Sequence, residues 1–314
     1  MPEPLPLFNS PISRKRIESY FERKETKLEK SDIGYNYSVL CQCFLPYRDP
    51  NVSHWERRNG LYSLVISSGV IHDPKDPTSL LELGIPFGPK PRLFMCYLNS
   101  LAIKRQSPVV PVAPNLSAML RELNLSRTGE PRGSITSFKK QIMRLAASNF
   151  LIIGPGPRGG EYYTKAPPIK EFNVRLPQQT DQRFNVWPSE VVLTSEYFES
   201  LRDHAVPYDV NALQSLQNNA RALDIFLWAT QRLPRLTSSL LMRWPDLFEL
   251  FGGGLNKRHS RLFKQTFRDD CFAARLAYGD KAVMEETPEG FKFYPSPPPV
   301  PRALVPSRGL TAAK

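Results

Sequence analysis

The residues with the clearest capacity for chemistry lie in one stretch, residues 255–278, which reads LNKRHSRLFKQTFRDDCFAARLAY. Residues 255–267 contain no acidic side chain. Cations attract DNA phosphates, and arginine and glutamine can hydrogen-bond to base edges in the major groove. Taken alone, this stretch is better explained as an ordinary surface helix with a solvated basic face, and only its context favours DNA binding. The polar residues that could contact DNA recur at helical spacing: Lys257, Arg258, Arg261, Lys264, Gln265 and Arg268.

A second basic helix is predicted at residues 132–148. Its apolar residues, Ile135, Phe138, Ile142 and Leu145, recur every three or four positions and predict one buried stripe. Thr136, Lys140 and Arg144 are expected on the opposite face, with Ser137 and Gln141 at its edge. The candidate DNA contacts in this half are therefore Arg132, Thr136, Ser137, Lys140, Gln141 and Arg144, to which Arg158 in the following loop is added.

Each basic helix occurs in the same predicted order of elements. In the first half, a helix at residues 91–105 is followed by a short strand, a short helix, a turn and the basic helix, and then by a hairpin at residues 150–164. The second half repeats this order from a helix at residues 221–233 to a hairpin at residues 282–294, which contains Lys292. A helix-turn-helix followed by a two-stranded wing is typical of a winged helix. Two copies favour DNA binding over a solvated surface helix.

The remaining segments are assigned from local patterns. Alternating apolar residues in YSVLCQCFL, residues 37–45, predict a strand, in which Cys41 and Cys43 are small buried residues rather than metal ligands. Residues 73–90 are rich in proline and glycine and are expected to form a loop. The predicted fold is α+β, with two tandem winged-helix domains. The predicted division is a flexible charged arm at residues 1–33, domains at residues 34–194 and 195–295, and a proline-rich tail at residues 296–314, disordered or extended.

Composition limits the classes of function. The formal net charge of the 314 residues is +12, which favours a polyanionic partner, either nucleic acid or an anionic membrane surface. No apolar run reaches eighteen residues and the N-terminus, MPEPLPLFNS, lacks a signal-peptide core, so a cytoplasmic location without a membrane partner is predicted. Four cysteines in a chain of this length do not indicate a disulfide framework.

The sequence offers little for catalysis. The glycines of residues 154–160 precede no Gly-Lys-Ser/Thr, so they do not form a phosphate-binding P-loop. The four histidines are scattered and form no metal-binding motif, so a metal-dependent nickase lacks its ligands. Tyr162 and Tyr163 are better explained as strand aromatics than as DNA-cleaving nucleophiles. We therefore expect no enzyme activity, no cofactor and no bound metal.

At this point several separated segments resemble one family. IPFGPKPRLFMCYLNSLAIKR and LSAMLRELNLSRTGEPRGSITSFKKQIMRLAASNF look like the core of the RepA-type plasmid replication initiators, and ARALDIFLWATQRLPRL and WPDLFELFG look like its second half. The resemblance runs from about residue 55 to residue 295. It implies a bacterial, plasmid-associated protein that binds repeated sites (iterons) in double-stranded origin DNA. It also implies contacts with host initiator and helicase-loading proteins, and a homodimer when such a protein represses its own gene.

The resulting hypothesis is a non-enzymatic, sequence-specific initiator of plasmid replication that also represses its own gene and so takes part in copy control. Three alternatives remain open at this stage. A transcriptional regulator of the same fold would use the same helices. A rolling-circle nickase would nick supercoiled origin DNA with a divalent metal, and a basic structural protein would bind DNA with no sequence preference.

Overall fold

The architecture is that of an α+β protein with several small antiparallel sheets, which confirms the predicted class. The computed structural model describes residues 25–73, 76–125, 134–155, 160–172 and 187–305, together with Glu18 and Phe21. Most of the predicted arm, the turn at residues 126–133, the loop tip at residues 156–159 and the last nine residues lie outside the described part.

The helices and strands follow one another along the chain within these ranges. The helices are α1 (Pro89–Arg105), α2 (Leu116–Glu122), α3 (Ser134–Ala147), α4 (Ser195–Asp203), α5 (Val210–Gln214), α6 (Ala220–Arg232), α7 (Trp244–Phe251) and α8 (Ser260–Tyr278). The strands are β1 (Ile33–Tyr37), β2 (His54–Asn59), β3 (Tyr62–Ser67), β4 (Val70–Asp73), β5 (Asp76–Glu82), β6 (Val109–Pro111), β7 (Asn149–Pro155), β8 (Glu161–Lys165), β9 (Ile169–Phe172), β10 (Glu190–Leu193), β11 (Ala205–Asp209), β12 (Leu240–Arg243), β13 (Met284–Thr287) and β14 (Gly290–Phe293).

Helix starts follow local capping chemistry. The Asn115 side chain accepts a hydrogen bond from the Ala118 amide at 2.8 Å and so caps the start of α2. The Thr194 hydroxyl accepts from the Tyr197 amide at 3.3 Å and begins α4 in the same way. α1 begins with Pro89 after Gly88, whose φ of 76° is a conformation that favours glycine.

The two halves differ in how their hairpins are paired. In the first half, β7 and β8 join β2 and β3 in a sheet of order β2-β3-β7-β8, while β6 pairs with β10 in a separate sheet of order β6-β10-β9. The short strand that precedes the first basic helix therefore does not touch the hairpin that follows it. In the second half, β12 pairs directly with the hairpin in a sheet of order β12-β14-β13. Here α6, β12, α7, α8 and the hairpin form one compact unit.

Two local predictions were wrong or incomplete. The strand predicted at residues 37–45 ends at Tyr37, and the next residues form turns in which the Cys43 amide donates to the Val39 carbonyl at 2.7 Å. These turns bury Val39, Cys41 and Cys43 as thoroughly as a strand would, so their alternating pattern misled the prediction. The loop predicted at residues 73–90 contains β5, which pairs with β4 in a largely exposed ribbon that has no buried face.

The described part of the proline-rich tail, residues 296–305, is extended and packed rather than disordered. The Ser296 amide donates to the Leu233 carbonyl at 3.3 Å. Val300 is fully buried in a small cluster with Ile33 and Tyr35 of β1. β1 in turn pairs antiparallel with β11, from Ile33 opposite Asp209 to residue 37 opposite residue 205. Segments near both ends of the described chain are thus packed together.

The core is continuous across the two halves, and a buried ion pair lies where they meet. Arg92 of α1 binds Asp224 of α6 through two hydrogen bonds, with Nε to Oδ1 and Nη2 to Oδ2 both at 2.8 Å. The same guanidinium donates to the carbonyls of Leu45, Pro46 and Gly88. Both side chains are at most 5% exposed. A charge buried to this extent needs a partner, because water cannot solvate it.

Removing one member of this pair should therefore destabilise the whole chain. We expect Asp224→Ala to lower the free energy of unfolding by about 3–5 kcal/mol, since it leaves the Arg92 guanidinium buried without a counter-charge. Chemical denaturation followed by circular dichroism measures this loss. Glu171→Ala is the matched control, because Glu171 pairs with Lys170 on the surface at 3.4 Å and should contribute at most about 1 kcal/mol. Equal losses in the two variants would contradict the role given to the pair.

Candidate nucleic-acid interface

α8 presents a polar face because its apolar face is fixed by aromatic packing. Phe263 and Phe267 are buried, and Phe263 packs edge-on against Phe248 of α7 with the ring centroids 5.0 Å apart. Phe267 packs against Phe251 at 5.6 Å. With this side of the helix fixed, the opposite side faces solvent. The predicted contact residues that are exposed there are Arg258, just before the helix, Arg261 and Gln265.

The other two predicted cations of α8 are half-buried over one tryptophan ring. The Lys264 ammonium lies 5.2 Å from the centroid of Trp244, and the Arg268 guanidinium lies 5.4 Å from it. A cation over an indole face is attracted by the ring quadrupole. Trp244 begins α7 and is buried, so it provides a rigid floor under these two flexible side chains. It positions them along the polar face of the helix.

Arg268 is also bound to the hairpin. Its Nε and Nη2 atoms donate to Glu286 of β13 at 2.6–2.9 Å, in a bidentate pair that is about 40% exposed. The hydrogen bond to Glu286 raises the pKa of the Arg268 guanidinium. This pair ties the helix to the hairpin. A DNA phosphate must compete with Glu286 for this arginine.

The second hairpin is less basic than the sequence suggested. Lys292 is half-buried on β14, its ammonium lies 5.2 Å from the Tyr294 ring, and the residue opposite it on β13 is Glu285. Glu289, at the turn, is exposed. A phosphate contact by Lys292 stays a prediction, but acidic side chains surround the position from which it would have to be made.

α3 exposes only part of its predicted contact surface. Thr136, Ser137 and Lys140 are exposed, whereas Gln141 and Arg144 are buried. The prediction that Gln141 and Arg144 lie on an exposed, DNA-contacting surface was therefore wrong. Of the other predicted residues, Arg132 and Arg158 lie outside the described residues, and Lys257 is described only by its place in the 3-10 turn Lys257–His259.

Arg144 and Gln141 hold the chain in place instead. Arg144 Nη1 donates to Asp49 at 2.8 Å and to the Ile85 carbonyl at 3.1 Å, and its guanidinium lies 5.2 Å from the Phe87 ring. The Gln141 side chain accepts a hydrogen bond from the Phe87 amide at 2.8 Å. These contacts anchor residues 85–87 to α3 and leave neither side chain available to DNA.

Sequence patterns missed three residues that the fold brings beside α8. Trp55 and Arg57 come from β2, and Trp244 comes from the start of α7; together with the first turn of α8 they line one cleft. In the sequence, Trp55 and Arg57 carry no helical or metal-binding signature. Their role becomes visible only where β2 packs beside α7, through the hydrogen bond from Arg57 Nη1 to the Glu249 carbonyl at 2.6 Å.

The described ranges contain neither a metal-binding cluster nor a helix that could span a membrane. Within them, no group of three histidine, cysteine or acidic side chains is arranged to hold a metal ion. The four cysteines are free and buried, and burial raises the pKa of the Cys43 thiol to about 12. None of the helices described is both long and apolar enough to span a bilayer.

Comparison with known proteins gives one family match. The family model described as plasmid encoded RepA protein, RepA_C, matches residues 85–245, just over half of the 314 residues. The match runs from the segment before α1 to the start of α7, so it ends before α8. No curated protein matches the chain. Among solved structures, the crystal structure of RctB domains 2-3 is similar, with 12% sequence identity, a TM-score of 0.48, and coverage of 82% of this chain and 95% of that one.

Substitution of two cations of α3 should have different effects, because Arg144 is buried and Lys140 is exposed. We expect Arg144→Ala to lower the free energy of unfolding by about 1.5–3 kcal/mol, since it removes buried charge-assisted hydrogen bonds. Lys140→Ala should leave stability within about 0.5 kcal/mol of the parent. If Lys140 meets a phosphate, its removal should reduce the slope of log binding constant against log salt by about one. Denaturation and salt-dependent binding to duplex DNA measure both effects. A stable Arg144→Ala protein with a reduced salt slope would reverse this assignment.

Proposed function

This chain belongs to the plasmid-encoded RepA protein family, and we propose that it is a sequence-specific DNA-binding initiator of plasmid replication. It binds repeated sites in the double-stranded origin and recruits the host initiator and helicase-loading proteins there. A homodimer of the same protein represses its own gene. This function requires no catalytic group, cofactor or metal.

The observation that carries the proposal is the exposed face of α8. Arg258, Arg261 and Gln265 point away from a core that fixes the helix on its other side, and Trp244 holds two further cations beside them. Guanidinium and amide groups on one helix face are suited to reading guanine and adenine edges, while the other cations bind phosphates. With a formal net charge of +12, long-range attraction to DNA adds to these contacts.

We assign the second half of the chain as a winged helix. Its order of α6, β12, α7, α8 and hairpin, with β12 paired to β14, supports this assignment. In it α7 and α8 form the helix-turn-helix and β13–β14 form the wing. Because the wing is acidic, its role is to orient α8 through the Arg268–Glu286 pair more than to bind phosphate.

The first half contributes a smaller surface. α2 and α3 form a second helix-turn-helix, and α3 offers Thr136, Ser137 and Lys140. Its hairpin is part of the larger sheet β2-β3-β7-β8, so this half is a winged helix only in an extended sense. Two recognition helices on one duplex are separated by about one helical turn, ~10.5 base pairs. One chain therefore covers a long site of roughly two turns, which need not be palindromic.

Loss of one exposed arginine should weaken specific binding. We expect Arg261→Ala to cost about 1–3 kcal/mol with the cognate site and to relax specificity if Arg261 reads a guanine. If it meets only phosphate, affinity should fall for all sequences and the salt slope should fall by about one. Arg202→Ala on α4 is the control, because Arg202 pairs with the adjacent Asp203 on a helix outside both helix-turn-helix units. Unchanged binding and salt slope in Arg261→Ala would remove α8 from the interface.

Footprinting on the DNA that flanks the gene tests the function as a whole. The purified protein should protect regularly spaced direct repeats at two salt concentrations in the presence of competitor DNA, and a minimal plasmid lacking the gene should fail to replicate. Protection of a single inverted repeat at the promoter, together with replication without the gene, would instead identify a transcriptional regulator. Diffuse protection that salt removes would show charge without specificity.

A further inference from the structure

A cleft of about 970 Å³ opens where β2 meets the second helix-turn-helix. Small-molecule sites span roughly 300–1,000 Å³, so this volume holds an organic ligand rather than a few waters. Its floor and walls come from both halves of the chain, through Trp55 and Arg57 of β2 and residues of α7 and α8. The lining is mainly aromatic and apolar, and its aromatic members are Trp55, Trp244, Phe248 and Phe263.

Arg57 is the polar group that this cleft leaves unsatisfied. Its side chain is only 7% exposed, and Nη1 donates to the Glu249 carbonyl at 2.6 Å. Its Nε and Nη2 atoms are buried and have no hydrogen-bond acceptor among the described residues. Burial lowers the pKa of this guanidinium, as expected for a charge whose desolvation is not fully offset. Buried donors of native proteins nearly always have partners, so the two unpaired donors of Arg57 favour an anionic ligand at this side of the cleft.

Two further features of the same cleft favour an anion. The indole Nε1 of Trp55 is buried without an acceptor in the described part of the chain. α8 begins at the cleft with Ser260, and its first turn has neither an acidic residue nor a side-chain cap. The start of a 19-residue helix carries a partial positive charge, which is suited to phosphate. Lys264 adds a full positive charge on the next turn.

The aromatic lining indicates what the anion is attached to. Trp55 is half-buried, and the Arg57 guanidinium lies 5.0 Å from the centroid of its ring. Phe248 is also half-buried at the cleft. Planar aromatic faces beside a cation are the surface on which nucleobases stack, whereas an acidic peptide needs no planar partner. Glu249 and Glu289 also line the cleft, and both are exposed, so their carboxylates are solvated and weaken the attraction for an anion without cancelling it.

We propose that this cleft is a nucleotide-binding site, in which Arg57 and the first turn of α8 bind the phosphate and Trp55 and Phe248 hold the base. The site adjoins the polar face of α8 and shares Lys264 with it, but it does not depend on the proposed function. Two sources supply the same chemistry, a free mononucleotide and one nucleotide unit of an unpaired DNA strand. Lys264 borders both the cleft and the polar face of α8, so an occupied cleft adjoins the duplex interface.

Intrinsic fluorescence of the full-length protein tests the site directly, because two of the four tryptophans line the cleft. Titration with dAMP should quench the emission saturably if free nucleotides bind, and titration with short oligo(dT) should do so if the site takes a strand. Either result supports the proposal and identifies the source. Adenosine, which lacks the phosphate, should bind at least about tenfold more weakly, since it cannot make the charge-assisted hydrogen bonds of the phosphate.

Variants link the signal to the cleft. Arg57→Gln should weaken nucleotide binding by about tenfold or more, and Trp55→Leu should abolish it with fluorescence anisotropy of a labelled nucleotide as the readout. Tyr162→Leu is the control, because Tyr162 is an exposed aromatic on β8, at the opposite edge of the sheet that begins with β2. Thermal unfolding by circular dichroism identifies any variant that has lost its fold, and Trp55→Leu remains informative if Arg57→Gln is unstable.

Three outcomes would overturn the proposal. Absence of saturable binding by both dAMP and oligo(dT) is the first, and equal binding of adenosine is the second. The third is binding of an acidic aromatic peptide at this cleft with no competition by either nucleotide. Duplex binding rests chiefly on Arg258, Arg261 and Gln265, which do not line this cleft. A negative result here therefore leaves the initiator function standing, and failure of the footprint leaves the nucleotide site standing.

Discussion

The ion pair between Arg92 and Asp224 is the interaction on which the rest of the fold depends. A buried guanidinium is stable only when its donors are satisfied, and here it reaches both carboxylate oxygens and three backbone carbonyls. α1 and α6, the first long helices of the two halves, are thereby fixed against each other. The segment that connects β1 to β2 is held between them, and Tyr47 of that segment stacks 5.1 Å from the Arg92 guanidinium. The position of β2 beside α7 follows from this arrangement.

The packing of the buried side of α8 determines where its polar side chains lie. Its aromatic underside packs on α7, and Trp244 supports two cations that would otherwise sample many rotamers. Arg268 is further restrained by Glu286. Rigid support of flexible cations reduces the entropy lost when they bind. The cations of α8 are therefore held in place by the fold itself, and their order comes from neutral and acidic neighbours rather than from the basic residues themselves.

Local patterns predicted the helices well because a stripe of apolar residues is encoded within each helix. α3 lies where its periodicity placed it, and α8 fills the stretch 255–278 except for its first five residues. The same patterns could not separate Arg144 from Arg261, since both were assigned to the polar side of a helix with an apolar stripe. What buries Arg144 is Asp49, which lies far away in the sequence and pairs with it at 2.8 Å. The cleft beside α8 was invisible for the same reason, because Arg57 and Ser260 meet only after the two halves pack.

The pairing of β1 with β11 also determines when the protein can complete its fold. Ile33 lies opposite Asp209, so β1 leaves the ribosome long before its partner strand has been synthesised. Arg92 is likewise synthesised long before Asp224, its counter-charge. Such long-range contacts slow folding and leave an unpaired strand edge exposed during translation. The nascent chain therefore passes through a long interval in which β1 lacks its partner strand. This is the stage at which chaperones should be most important for folding.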